Sequence, residues 1–582
     1  MEHEEEKRIC QNCQKDFIIE PEDFNFYEKI KVPPPTWCVE CRLQRRLAYR
    51  ESRSLYKNNC KKCGIEIVSI FDASSSIQTY CSKCWWGDGW DPFSYGKDYD
   101  FSKPFFQQFY ELQQIIPREG AGQKNSENCK YSNGDVRCKN CLLTFDCVES
   151  INCYNCQVAA YSKDSIDIDS AMNVDHSYDV FTSNNIYNVK FSFYSHECLD
   201  SAFLYNCLGC SNCFGCVNLR NKKYCIWNKE YSKEEYQKEI KNWDLGSYKN
   251  IEKARKKFLE LYYKTPRRFA LIKNSENVTG EDIVNSKNCQ TCFFTRMGIE
   301  NCKYVFACGL LLKDSYDATF GGDRSELFYE TSGGMESSKI LFSRAGNGSR
   351  ELEYCDRLIN CKNCFGCVNL KNKSYCIFNK QYDKEEYFEM VERIKKHMNE
   401  MPYVDRKGRM YKYGEFFPSE LSLWSYNKSW GNKFFPLTKE KALEVGFNWQ
   451  ENPFRNNHIT ISAKDLLDDI KEVKDSILDE VIECEHSGLD CSHECTFAFK
   501  ILPDELQFYR KMNLALPRIC PHCRHYERLK FVNPLKLWNR TCMCENKNHS
   551  HVGSCINKFK TAISPDRKEI VYCKECYQAE FV

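Results

Sequence analysis

Seven cysteines near the start of the chain have the same spacing as seven near its end. Cys13, Cys38, Cys41 and Cys60 return 482 positions later as Cys495, Cys520, Cys523 and Cys542. Cys63, Cys81 and Cys84 return 492 positions later as Cys555, Cys573 and Cys576. Thiolates offered in pairs from short turns suit a metal ion that takes four soft ligands at tetrahedral angles, as zinc does at structural sites. Cys10-x2-Cys13 with Cys38-x2-Cys41 makes one such set, and Cys60-x2-Cys63 with Cys81-x2-Cys84 a second. The repeat predicts a third set from Cys491, Cys495, Cys520 and Cys523, with Cys484, His486 and His493 as alternative ligands. Alignment picks Cys542, Cys555, Cys573 and Cys576 as the fourth. A ten-residue insertion there adds Cys544, His549 and His551, one of which could replace Cys542, Cys544 being the first choice. The expectation is about four Zn2+ per chain.

Thiol pairs converge only if the chain between them folds back. Phe17, Ile18 and Ile19, followed by Phe26 and Tyr27, are expected to form a small β ribbon beneath the first metal. After its second thiol pair come Arg42, Arg45, Arg46 and Arg50, at i, i+3, i+4 and i+8. That spacing puts them on one helix face, with Leu43 and Leu47 turned towards the ribbon. Arg524 and Arg528 repeat Arg42 and Arg46. Such a row suits phosphate contacts on nucleic acid, or a solvated helix face whose arginines pair with the many nearby glutamates. The aromatics from Trp85 to Phe106 are expected to fix the paired ribbons onto the centre of the chain, because small zinc modules have little core of their own.

The centre carries its own duplication at an offset of 151. Cys138-x2-Cys141 returns as Cys289-x2-Cys292, and the run Cys210 to Leu219 returns as Cys361 to Leu370. Asn-Cys recurs every twelve residues at Cys129, Cys141 and Cys153. Short polar segments with a recurring small residue predict a β-solenoid in which equivalent positions stack. Cys207, Cys210, Cys213 and Cys216 are spaced like iron–sulfur ligands, but Leu358 stands where Cys207 should repeat, which favours buried reduced thiols. The acidic run Asp164, Asp167, Asp169 and Asp175 beside His176 reads as a solvated edge. No phosphate loop, dinucleotide fingerprint or nucleophile elbow occurs, so no enzyme class is suggested.

A chain of 582 residues needs several domains. The boundaries expected are tandem ribbons over 1–100, a first solenoid-like half over 101–245, a helical bridge over 246–275, a second half over 276–400, a linker and helical strut over 401–482, and tandem ribbons over 483–582. The fold class is therefore multidomain and β-rich, with a few helices. Thirty-nine cysteines without an apolar leader point to a reducing, cytoplasmic setting, and no apolar run is long enough for a membrane span. A net charge of +2 leaves any nucleic-acid binding to local basic patches.

The runs PTWCVECRLQRRLAYR, KCWWGDGWDPFSYGKDYDFSKPFF, NCFGCVNLRNKKYCIWNKEYSKEEY, FFPLTKEKALEVGFNW and FYRKMNLALPRICPHCRHYERLKFVNPLKLWNR resemble large cysteine-rich zinc-ribbon proteins of candidate-phyla-radiation bacteria. The resemblance spans nearly the whole chain. It implies a cytoplasmic zinc protein without an assigned activity. Two roles follow as expectations. The first is binding of nucleic acid or ribosome through Arg42, Arg45, Arg46, Arg50, Arg524 and Arg528. The alternative is a structural or protein-interaction scaffold stapled by zinc, with iron–sulfur redox chemistry a third.

Overall fold

The structure, a computed structural model, describes residues 3–451, 458–487, 494–546, 548–549 and 551–581. Its central feature is a backbone rule with a period of three. Asn125, Asn128, Tyr131, Gly134, Arg137 and Asn140 all have φ between about +50° and +80°, and the series continues in steps of three through most positions to Trp227. Each left-handed residue turns the chain by one corner. Four three-residue sides return it beside itself, so Lys139 pairs with Ile151, Leu142 with Tyr154 and Phe145 with Gln157, all in parallel. A second stretch, from Asn274 to Asn379, obeys the same rule with a less even step: Glu276 pairs with Lys287, and Lys287 with Glu300.

Asparagine and aspartate tolerate the left-handed region better than other side-chain-bearing residues. Stacked at corners, they also bond one another. Asn128 donates to Asn140 (3.0 Å), Asn140 to Asn152 (3.2 Å) and Asn152 to Asp164 (2.7 Å). The residue after each corner points inward, which explains the Asn-Cys pairs.

The inward residue presents a difficulty. Its N–H faces the interior, where no carbonyl of the next turn is available, and a buried donor without a partner is costly. Serine one turn earlier answers it. Ser195 accepts from the Cys207 N–H at 3.1 Å and donates to the Phe193 carbonyl at 3.2 Å. Ser126, Ser150, Ser165, Ser177, Ser183 and Ser201 accept in the same way. Cysteine does so more weakly, as where Cys367 Sγ receives the Asn379 N–H at 3.4 Å.

The strands form a nine-stranded and a twelve-stranded sheet, parallel except at their last pairings. Each includes a closed ring of four parallel strands. In the first ring Lys163–Asp169 is one long strand, while the next turn breaks into Val174–Asp175 and Tyr178–Phe181. Ile186–Phe193 is again long and pairs with both pieces. Ile299–Lys303, Leu312–Lys313, Tyr316–Thr319 and Glu326–Ser332 repeat the arrangement.

Aromatic residues on one outer side of each stack receive the rest of the chain. Tyr354, Phe365 and Phe378 pack with Phe105, Phe106 and Tyr99, as the aromatic run after Cys84 anticipates. Phe203 and Phe214 pack with Phe258 of the helix Tyr248–Lys264, the expected bridge. Two expectations fail. Phe26 and Tyr27 lie on a helix, Pro21–Ile30, capped at its start and carrying proline in its first turn, and the ribbon is only the hairpin Glu6–Ile9 with Asp16–Ile19. The helical strut expected at the end of 401–482 is a series of short 3-10 turns, Ala463–Asp465, Ile470–Glu472 and Asp475–Leu478, because Asp469 and Asp475 favour turns over a continuous helix. No helix among the described residues is long and apolar enough to cross a membrane.

Ser195→Ala should leave the Cys207 N–H without an acceptor and cost about 1–3 kcal/mol. Urea unfolding together with faster hydrogen exchange over residues 205–217 would register it, and Ser195→Cys should lose less.

Candidate metal centres and the helices that carry them

Four groups of four thiols converge: Cys10, Cys13, Cys38 and Cys41; Cys60, Cys63, Cys81 and Cys84; Cys484, Cys495, Cys520 and Cys523; and Cys542, Cys555, Cys573 and Cys576. Within each, the sulfurs lie within 4.8 Å of one another. Two sulfurs each about 2.3 Å from a tetrahedral ion stand roughly 3.8 Å apart. Cys13 and Cys38 are separated by 3.8 Å, as are Cys63 and Cys81 and also Cys484 and Cys523. Cys495 to Cys520 and Cys555 to Cys573 measure 4.0 Å. The donor set and its spacing fit a tetrahedral thiolate-bound ion.

All four groups share one further bond, from the N–H of the third cysteine to the sulfur of the first. Cys38 donates to Cys10 (3.2 Å), Cys81 to Cys60 (3.2 Å), Cys520 to Cys484 (3.1 Å) and Cys573 to Cys542 (3.2 Å). Such donors favour the thiolate. At Cys60 burial pushes the thiol up, but N–H donors from Cys81, Cys63 and Lys62 and the Cys63 side chain outweigh it and bring the value down to about 6. The shared bond identifies Cys484 as the counterpart of Cys10. Cys491, the expected ligand, lies outside the described residues, as does His493. Cys542 keeps its own place, so neither Cys544, His549 nor His551 replaces it.

Cys207, Cys210, Cys213 and Cys216 occupy four successive sides of one turn and all point inward. Each thiol donates to the carbonyl two residues back, at 3.4–3.6 Å. Leu358, in the place equivalent to Cys207, is fully buried. A position that accepts leucine is filled for packing, which supports the buried-thiol reading.

The arginine rows require a correction. The third cysteine of the first group, Cys38, caps the helix Val39–Ala48, and Cys520 caps Pro521–Leu529. Arg42, Arg45 and Arg46 do share a face, but they are 2 %, 0 % and 0 % exposed. Arg42 and Arg46 reach Asp317 at 2.8 and 2.9 Å, Arg45 and Arg46 reach Glu330 at 2.9 and 3.0 Å, and Arg45 reaches Glu415 at 3.0 Å. Arg50 lies past the helix end and pairs with Asp146 at 2.8 Å. Leu43 and Leu47 pack with Phe293, Phe306 and Trp430 instead of the ribbon. In the C-terminal module Arg524 reaches Asp167 at 2.8 Å, and Arg528 reaches Asp169 at 2.5 Å and Asp179 at 3.2 Å. Burial alone would raise the Asp169 carboxyl, yet Arg528 and His525 hold it well below the usual carboxylate range. In this fold five of these six arginines are buried against carboxylates, and none of the five can reach a phosphate. Asp167 and Asp169 are likewise buried partners and no solvated edge.

The acidic partners escaped the sequence reading, although a signal existed. Asp167 returns as Asp317 and Asp179 as Glu330, at offsets of 150 and 151, and all four sit at left-handed corners. The arrangement is crossed: the helix Val39–Ala48 docks on the second stack and Pro521–Leu529 on the first, although Arg50 also reaches Asp146 of the first. The second ribbon of each pair adds a short parallel pairing, Thr79–Tyr80 with Arg118–Glu119 and Val571–Tyr572 with Arg267–Arg268.

No family model, curated protein or solved structure matches this chain.

Asp317→Asn should remove the shared partner of Arg42 and Arg46 and cost about 3–5 kcal/mol, the usual range for breaking a buried pair. Hydrogen exchange should accelerate over 39–48 and 316–330 while 521–529 stays protected. Asp167→Asn should show the mirror image.

Proposed function

We propose that the protein is a zinc-binding, non-enzymatic scaffold. Four zinc ribbons, two at each end, clamp two β-solenoid halves into one body that presents its outer faces to a protein partner in a reducing compartment. The observation that carries this reading is the set of four thiol groups with tetrahedral sulfur spacing, two of them placed where a helix of the same module meets a stack and two where a short strand pairs with the segment leading into one. Modules of this size bury little apolar surface, so metal binding would supply much of their folding free energy. The described cysteines form no disulfide, in keeping with that compartment.

The buried arginines weigh against the nucleic-acid reading. The side chains that suggested phosphate contact are occupied within the molecule, and releasing them would expose Asp317, Glu330 and Asp167 unpaired. A nucleic-acid or ribosome partner would have to use other cations, such as the exposed Lys253 and Lys256 on the bridge helix.

Anaerobically purified full-length protein should contain at least four zinc per chain, following the four-thiolate sites. Chelation should unfold the ends before the centre. Iron with a visible absorption band in place of zinc would overturn the assignment. Single-stranded RNA and duplex DNA should bind weakly and without a steep salt slope; affinity falling by several decades between low and moderate salt would instead establish a phosphate-binding function.

A further inference from the structure

The last module contains more ligands than one ion can use. Besides Cys542, Cys555, Cys573 and Cys576, a second group of Cys544, His549, His551 and Cys576 has its ligand atoms within 4.8 Å of one another. Cys576 belongs to both. We propose that this module holds two zinc ions bridged by the Cys576 thiolate, an inference that rests on the zinc reading above.

The two histidines are arranged as ligands. A metal-binding histidine usually donates its other ring N–H to a carbonyl or carboxylate, which fixes the tautomer and aims the free nitrogen. His551 Nδ1 lies 2.8 Å from the Gly553 carbonyl, and its Nε2 is buried with no hydrogen-bond partner. His549 Nε2 lies 3.2 Å from the Glu580 carboxylate, with Asn546 Nδ2 at 3.3 Å, and its Nδ1 faces Cys544 Sγ at 3.1 Å. Cys544 itself is fully buried. Both imidazoles thus turn one nitrogen outward to a partner and the other towards the Cys544 and Cys576 sulfurs.

Charge and sequence agree. One zinc on four thiolates carries a net charge of about −2. A second zinc, bringing one further thiolate and two neutral imidazoles, reduces that to about −1. The Cys576 sulfur has lone pairs enough for both ions. The ten-residue insertion that separates this module from its N-terminal counterpart supplies Cys544, His549 and His551 together, and the matching turn there is Cys60-Lys61-Lys62-Cys63, without a ligand to spare. The insertion is thus a loop that brings a complete second ligand set to a sulfur already in place.

The test is metal content and magnetic coupling in the full chain. Zinc analysis should give about five ions for the native protein and about four for Cys544→Ser with His549→Asn, with His551→Gln as an independent variant. Loaded with cobalt(II), the native protein should show an electron-spin signal of only about three isolated ions, because a bridging thiolate couples the pair. The variants should bind one cobalt fewer and yet show a signal of about four. Four zinc in native and variant proteins alike would overturn the second ion while leaving the scaffold reading intact. Five with additive cobalt signals would overturn the bridge. Iron, or fewer than four zinc, would remove the zinc reading and this inference with it.

Discussion

The rest of the structure depends on four acidic corners receiving buried arginines. A guanidinium and a carboxylate taken out of water lose several kcal/mol of hydration each, and only close, well-aligned pairing recovers it. Asp317 and Glu330 meet Arg42, Arg45 and Arg46, while Asp167 and Asp179 meet Arg524 and Arg528. Because mispairing would strand buried charge, each module has one register on its stack. The pairing is also crossed between the ends of the chain. A linear order of ribbons, stack, stack and ribbons is thereby closed into two similar assemblies, each built from a distant module and stack.

The stacks are suited to receive such charges because their corners are left-handed. A residue with φ near +50° projects its side chain outward at a fixed place on every turn, and aspartate pays little for that conformation. The same geometry dictates the interior. With three residues per side, most turns hold small or medium inward side chains, Phe328 of the second stack being a large one, and inward N–H groups are left to be satisfied. Serine supplies an oxygen acceptor; cysteine fills the space as a small apolar group with a weak acceptor sulfur. The high cysteine count therefore has two unrelated causes: thiols that converge at the ends and thiols that pack at the centre.

This division explains what could be read from the sequence. Periodicity in cysteine alone located the thiol groups, since Cys38-x2-Cys41 and Cys520-x2-Cys523 need no knowledge of their surroundings. The twelve-residue recurrence at Cys129, Cys141 and Cys153 was also visible, because identical residues happened to stack there. The underlying step of three was hidden, since its inward positions alternate among cysteine, serine, alanine, threonine and valine, and its corners admit Tyr131, Leu143 and Val158 as well as asparagine. Neither reading of the arginine row, phosphate contact or a solvated face, includes burial. A helix face of Arg42, Arg45 and Arg46 looks solvent-directed until its partners, 271 to 370 residues away, are known. Cys484 was obscured differently. It lies outside the seven-cysteine repeat, and only the Cys520 N–H aimed at its sulfur marks it as first of its group.

The thiol groups and the docking surfaces are joined through the helix that follows the third cysteine of the group. Cys38 is the cap of Val39–Ala48 and Cys41 lies in its first turn, so an ion held by both sets the direction of the helix axis. Arg42, Arg45 and Arg46 are the next residues on that helix, and their carboxylate partners tolerate little angular error. Cys520, Cys523, Arg524 and Arg528 repeat this order in Pro521–Leu529. Were an ion bound at the four thiols, whatever it added to the stability of the module would also stabilise the buried ion pairs, and those pairs would raise affinity for the ion by the same free energy, as linkage requires. The end modules are consequently more than independent units tethered to the centre. In the modules that carry Val39–Ala48 and Pro521–Leu529, the convergence of four thiols and the closing of arginines on acidic corners are two ends of one helix.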